Sequence, residues 1–263
     1  LIESTYGLRE DVQPTRQQVE SSFINAVNNT LADGGKVLIP IPAVGRAQEI
    51  MMVIDHYMKS GEMVEAPVFT EGMISEASAI HESYPEYLAR ELKQKILETD
   101  DNPFDSEYFT NIEHADAREE PMRENSPCII LATSGMLEGG PVLEYFKNIA
   151  PDPKNKVVFV SYQVNGTLGR RVLDGSKQVS MLGKEGKVEV VSVNCGVEKL
   201  DGFSGHSDYN QLMSFVQRLR PKLRRVLVNH GERSKSENLA MNIRRTFKLP
   251  AHYPQVQEAI KLF

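Results

Sequence analysis

Cysteine is scarce: the 263 residues contain only Cys128 and Cys195, in separate apolar runs, with no CxxC. That argues against a disulfide framework or a thiolate metal cluster, and both are expected as buried free thiols in a reducing cytosol. No run approaches the roughly 18 apolar residues of a membrane span, and no signal-peptide pattern opens the chain. A soluble, cytoplasmic protein is therefore expected. GxxxxGK[ST] and GxGxxG are both absent, which disfavours a mononucleotide or dinucleotide site. There is no basic excess either: the net charge is −6. Such a chain does not coat nucleic acid nonspecifically, although an acidic body can still carry a basic groove. With 40% hydrophobic and 25% charged residues, the composition is that of a globular protein of one large domain or two.

The charges are unevenly placed. Acid concentrates between Glu98 and Glu124, and base in "RLRPKLRR", where Arg218, Arg220, Lys222, Arg224 and Arg225 crowd together. The basic cluster reads equally well as a phosphate contact or as the solvated end of a helix with its loop. The first residue is Leu1, and "LIEST" reads like a strand already under way, as expected of a fragment.

From residue 17 the pattern alternates helix and strand. Val19, Phe23, Val27 and Leu31 recur at helical spacing before Gly34-Gly35. "KVLIPIP" predicts a buried strand, residues 45–61 a helix, "APVFTEG" a strand, and residues 75–97 a further helix. The acidic stretch predicts surface loop and short elements. Beyond it, "PCIILAT" and "NKVVFVSY" predict strands flanking a helix over 139–150, and residues 166–175 a turn into a short helix. "KVEVVSVNCGVEKL" alternates apolar and polar residues, predicting antiparallel strands with one solvated face. Then come a helix over 208–219, the strand "RRVLVNHG", a helix over 235–247 and a C-terminal strand ending at Phe263. Two successive βαβ units, split by the acidic segment, imply a doubly wound parallel sheet of the α/β class.

Chemistry in such folds gathers at the carboxyl ends of strands. His230 in "VLVNHGE" and Glu3 in "LIESTYG" both follow apolar strands. His206 lies in "DGFSGHSDY", uncrowded between Gly205 and Ser207, immediately before a helix. One carboxylate and two histidines so placed could form a metal site, an acid/base pair, or both. Asp208 reads as a helix cap in the box "DYNQ". His206-Ser207-Asp208 is no catalytic triad, since adjacent residues point apart. His56, His81, His114 and His252 form no HxH, HxxxH or HExxH. Three glycine-bearing turns follow strands: "PAVGRAQE", "ATSGMLEGG" and "VNGTLGRR". Their backbone N–H groups suit anions, and two of the turns carry arginine.

Together, "LIESTYG", "PIPAVGRAQE", "ATSGML", "GTLGRR", "DGFSGHSDY" and "LVNHGE" resemble, in order, the motifs of metallo-β-lactamase-fold nucleases with a β-CASP insertion. The resemblance is greatest to archaeal relatives of the cleavage and polyadenylation specificity factor endonuclease, and runs from Leu1 to Phe263. It implies a β-CASP domain with a parallel doubly wound sheet plus the C-terminal part of a metallo-β-lactamase αββα fold. Residues 1–8 would end the lactamase N-terminal part, residues 9–200 form the β-CASP domain, and residues 201–263 return to complete the lactamase fold. Glu3 would then be the first-motif carboxylate that holds His206. His206 would contact the scissile phosphate and serve as general acid, and His230 would bind one of two zinc ions. Arg46, Thr133, Ser134, Thr167 and Arg170 fall where the family's loops face RNA. The resemblance further implies a homodimer, upstream KH domains, and RNA polymerase or RNA-processing factors as partners.

One departure matters. The family supplies most zinc ligands from an HxHxDH loop and further residues upstream of ESTYG, and no HxHxDH occurs here. One histidine cannot hold a catalytic zinc, which wants at least three protein ligands. The parent protein is expected to be a zinc-dependent ribonuclease acting in RNA 3′-end formation, transcription termination or decay. The 263 residues alone are expected to be inactive. Two rivals stand: a noncatalytic RNA-binding scaffold of the same fold, and a small-molecule hydrolase. The scaffold has no physical need for Glu3, His206 and His230 together, and the hydrolase has little use for three anion-binding turns.

Overall fold

The computed structural model describes residues 1–99, 101–123, 126–183 and 187–262. Asp100 and Glu124 of the acidic stretch, and Phe263 of the expected C-terminal strand, lie outside the described residues. The chain divides into two compact units, residues 15–203 and residues 1–14 with 204–263.

In the larger unit, α1 (Arg16–Ala32) starts at Thr15 with a reciprocal cap. The Thr15 side chain accepts from Gln18 N, and Gln18 accepts from Thr15 N at 2.9 Å. β1 (Val37–Pro40), α2 (Arg46–Lys59), β2 (Val68–Glu71) and α3 (Ile74–Ser83) follow. The helix predicted over 75–97 is interrupted. Pro85 has no N–H and its ring bars Tyr84 from the helical region, so Tyr84 takes φ −130° and ψ 56°. A single 3₁₀ turn at Pro85–Tyr87 precedes α4 (Arg90–Glu98). β3 (Phe109–Asn111) and the short α5 (Glu119–Met122) occupy the acidic stretch, before β4 (Ile129–Ala132). Then come α6 (Val142–Ile149), β5 (Lys156–Phe159), α7 (Leu168–Leu173), β6 (Gln178–Leu182), β7 (Val188–Ser192) and β8 (Gly196–Lys199).

The sheet is parallel throughout, in the order β3-β2-β4-β1-β5-β8. β4 sits between β1 and β2, so the two βαβ units interleave in one sheet. Alternate strand residues feed opposite cores. Val37, Ile39, Ile129 and Leu131 pack toward α1 and α2, while Leu38, Ile130, Val157 and Phe159 pack toward α6 and α7. Burial on both faces explains the unbroken apolar runs. Each fully buried Ile or Phe contributes roughly 1.5–3 kcal/mol. Cys128 and Cys195 are free and buried.

The alternating stretch 187–200 divides. β7 pairs antiparallel with β6, as the alternation predicts, but β8 adds to β5 in parallel. The turn between them has a cause: Asn194 N and Cys195 N both donate to Ala150 O, at 2.8 and 3.0 Å, which redirects the chain.

The smaller unit contains α8 (Tyr209–Leu219), β9 (Val226–Leu227), α9 (Arg233–Phe247) and β10 (Ala251–His252). Asp208 caps α8 with the reciprocal Gln211 pair, as "DYNQ" predicts. β9 and β10 are parallel, and Ile2 bridges Val228 beside them. Ile2, Leu212, Val216, Val228, Leu239 and Ile243 form the core. The expected C-terminal strand is confined to two residues. Pro254 ends it by lacking an N–H, and Gln255 N turns to Glu258 Oε2 at 2.8 Å.

Candidate active site

Three segments of the smaller unit converge. Ile2 N donates to Leu227 O at 2.9 Å, and Asn229 N returns to Ile2 O at 3.0 Å, which sets Glu3 beside the end of β9. There the chain turns sharply, because His230 adopts a left-handed conformation at φ 50°, a strained state for a residue with a Cβ. Ser4 holds that turn: Ser4 N donates to His230 O at 3.3 Å, Ser4 Oγ to Asn229 O at 2.7 Å, and its hydroxyl meets Ser236 Oγ at 2.8 Å. Gly231 permits it, since a Cβ there would lie 2.5 Å from Ser4 O. The third segment is the loop before α8. Ser204 Oγ accepts from His206 N at 3.1 Å, and Gln13 Nε2 donates to His206 O at 3.1 Å.

Glu3, His206 and His230 offer ligand atoms that all lie within 4.8 Å of one another. Glu3 Oε2 faces His206 Nδ1 at 3.2 Å, and the two imidazoles stack with centroids 5.3 Å apart and planes at 25°. Glu3 also accepts from Thr5 N at 3.0 Å and from Ser207 N at 3.2 Å. Burial pushes the Glu3 carboxyl up, but hydrogen bonds from Thr5 and the charge and hydrogen bond of His206 outweigh it. The net shift is downward, so Glu3 is an anionic acceptor. An anion at Nδ1 calls for a proton there and leaves His206 Nε2 as the acceptor nitrogen of the neutral ring. The His206 side chain is 40% exposed and can meet a large substrate.

Thr5 is the participant that sequence reasoning missed. Its hydroxyl lies 3.3 Å from His206 Nδ1, 3.4 Å from His230 Nδ1 and 3.3 Å from His230 O. Its only signal was membership of "LIESTYG".

Three clustered donors invite a metal, and the same side chains are also engaged in hydrogen bonds. Both Glu3 oxygens already have partners, and Thr5 Oγ1 occupies the space between the two Nδ1 atoms. Of the three residues, His230 is the exposed one. Zinc wants three or four protein ligands. Among the described residues this set does not compose a closed zinc site.

The other five predicted contacts belong to the larger unit, at carboxyl ends of strands. Arg46 opens α2 after β1 and pairs with Glu49; Arg170 pairs with Asp174 at 2.9 Å. Thr167 caps α7 by accepting from Arg170 N at 3.2 Å, and Ser134 Oγ accepts from Glu138 N at 3.1 Å. Thr133 is half-buried between β4 and α6. Two of the three loops support each other: Gln163 Nε2 donates to Gly135 O at 2.9 Å, and Gly169 N to Met136 O at 2.9 Å. A second unforeseen cluster sits at the end of β2. Buried Glu71 accepts from Arg118 Nε at 2.9 Å and from the Tyr145 hydroxyl. That acceptor pushes the tyrosine up together with burial, the larger cause.

Known proteins match both units. A Beta-Casp domain model matches residues 47–172, and a model described as a Zn-dependent metallo-hydrolase RNA specificity domain matches residues 190–254, which include His206 and His230. Over its whole length the chain is 81% identical to a protein of Cenarchaeum symbiosum, 47% to one of Pyrococcus horikoshii and 45% to one of Methanocaldococcus jannaschii. Each of these relatives is named transcription termination factor FttA. The chain spans only 40–41% of their lengths. With six motifs in order, an interleaved parallel sheet and two domain matches, the chain belongs to the β-CASP family of metallo-β-lactamase-fold proteins.

Proposed function

We propose that these residues belong to a zinc-dependent ribonuclease that hydrolyses RNA phosphodiester bonds in transcription termination, 3′-end formation or decay. The carrying observation is the Glu3–His206 pair stacked on His230. A carboxylate at Nδ1 fixes one tautomer and orients the ring, so His206 can bind a phosphate oxygen and give a proton to the leaving oxygen. Glu3 acts through His206 and is a positioning residue; Thr5 braces both imidazoles. His230 supplies one zinc ligand, and the remaining ligands come from outside these 263 residues. Bound zinc would provide a hydroxide nucleophile. In the larger unit, Arg46, Thr133, Ser134, Thr167 and Arg170 guide the RNA strand. The relatives' name supports a role in termination, and the second domain's description supports RNA as the ligand. Free buried thiols at Cys128 and Cys195 suit a cytoplasmic protein, and the full-length protein works as a homodimer.

The test is cleavage of end-labelled RNA by the full-length protein. His206→Ala lowers the single-turnover rate roughly 10²–10⁴-fold, and His230→Ala lowers bound zinc. A His206→Ala protein that cleaves at the wild-type rate would refute the assignment.

A further inference from the structure

The basic cluster at residues 218–225 gains company in the fold. β9 and β10 run parallel with α9 between them, so both strands begin at the end of the unit where α9 finishes. Val226 N donates to Pro250 O at 2.8 Å, and Arg244 Nη1 to Ala251 O at 2.6 Å, which ties that end together. Arg244, Arg245 and Lys248 thereby join Arg218, Arg220, Lys222, Arg224 and Arg225, and all eight are exposed.

Charge in this unit is sorted. It carries twelve lysines and arginines against seven aspartates and glutamates, within a chain of net charge −6. Glu3, Glu10, Asp11, Asp208, Glu232 and Glu237 belong to the opposite end, where Asp11 meets Lys235 and Asp208 caps α8. Glu258, the seventh, is taken by His252 at 2.8 Å. The unit's ion pairs otherwise join His206 to Glu3 and Arg233 to Glu237, so among the described residues none of the eight cations has a carboxylate partner.

Helix dipoles do not account for so much charge. Two helix C-termini present about half a negative charge each, so about one cation in total would answer them. The rest repel one another at a cost in stability. An external polyanion relieves that repulsion. A protein partner fits less well, because no large apolar side chain between Arg218 and Arg225 is exposed to form an interface core. Six of the eight cations are arginines, which suit bidentate phosphate contact.

We infer that this end of the smaller unit is a second RNA-binding surface, which grips the phosphate backbone of single-stranded RNA without reading its bases. It is remote from His206: the eleven residues of α8 put about 16 Å between the two ends. The inference rests on the reading that the whole protein acts on RNA.

The test is fluorescence anisotropy of a labelled single-stranded RNA with the full-length protein across a salt series. The triple variant R220Q/K222Q/R224Q is compared with wild type and with a control, R90Q/K93Q/K154Q, which removes equal charge from exposed positions of the larger unit. Each single-strand contact contributes about 0.7 to the salt slope, so the triple variant loses about 2 in slope and roughly a hundredfold in affinity at 0.1 M salt. An unchanged slope overturns the surface, and so does an equal loss in the control. Unchanged RNA binding with lost binding to poly-glutamate would reassign it to an acidic protein and overturn it too. None of these results bears on cleavage by His206→Ala, so the two readings fail separately.

Discussion

Gly231→Ala tests how the candidate site is assembled. Gly231 does not need glycine for its own backbone angles, so the cost of a methyl there is one of space alone. The new Cβ would meet Ser4 O and Ser4 Oγ at 2.5 Å and Ser4 C at 2.7 Å. An ordinary contact begins at 3.4 Å, so about 1 Å of movement is required. Ser4 is the residue that must yield, because α9 packs behind Gly231 through Ser236. Moving Ser4 weakens its bonds to Asn229 O and His230 O and carries its neighbours Glu3 and Thr5 off the imidazoles. Overpacking of this kind costs roughly 1–3 kcal/mol, at about 2–4 °C of melting temperature per kcal/mol for a chain of this size. A misplacement of about 1 Å in catalytic groups can cost on the order of a hundredfold in rate. Differential scanning calorimetry and single-turnover RNA cleavage by the full-length protein measure the two effects. Wild-type melting and wild-type cleavage in Gly231→Ala would refute the close packing of "ESTYG" against "NHGE".

Further outcomes follow from the same packing. Glu71→Gln removes the anion that Arg118 and Tyr145 share, and a broken buried pair of this kind costs about 3 kcal/mol; a urea midpoint unchanged from wild type would contradict it. Asp208→Ala removes the α8 cap and the acceptor for Gln13 N, at about 1 kcal/mol, read from the same melts. Burial holds the Cys128 and Cys195 thiols up at about 11, against an ordinary value of 9.0. Their folded values are raised, so the stability they lend is present below pH 9 and is lost as pH climbs toward 11. Thiol labelling of the native chain at pH 8 is accordingly slow, since a thiol at 11 is about one-thousandth ionised there; rapid native labelling would show that the sites are open.

Much of this architecture was legible. The run of period 3.6 in α1 and the apolar blocks of β1, β4 and β5 report burial directly, because strands covered on both faces have no polar alternative. Glu3, His206 and His230 were legible because short motifs follow strands or precede a helix, and folds of this class bring such ends together. β3 was not, because its burial is slight and its register comes from Phe69 and Thr70 rather than from any pattern of its own. The direction of β8 depends on Ala150, a residue 45 positions upstream of Cys195. Glu71, Arg118 and Tyr145 carry no motif, and only the interleaved sheet order makes them neighbours. Thr5 needed atomic distances.

The central claim is that Glu3 works through His206 as one unit. The direct measurement is a double-mutant cycle of single-turnover RNA cleavage with the full-length protein: Glu3→Gln, His206→Ala and both together. The account predicts that Glu3→Gln slows cleavage in the presence of His206 and has no further effect once His206 is alanine. Fully additive losses would contradict it, because Glu3 would then act independently of the imidazole it touches.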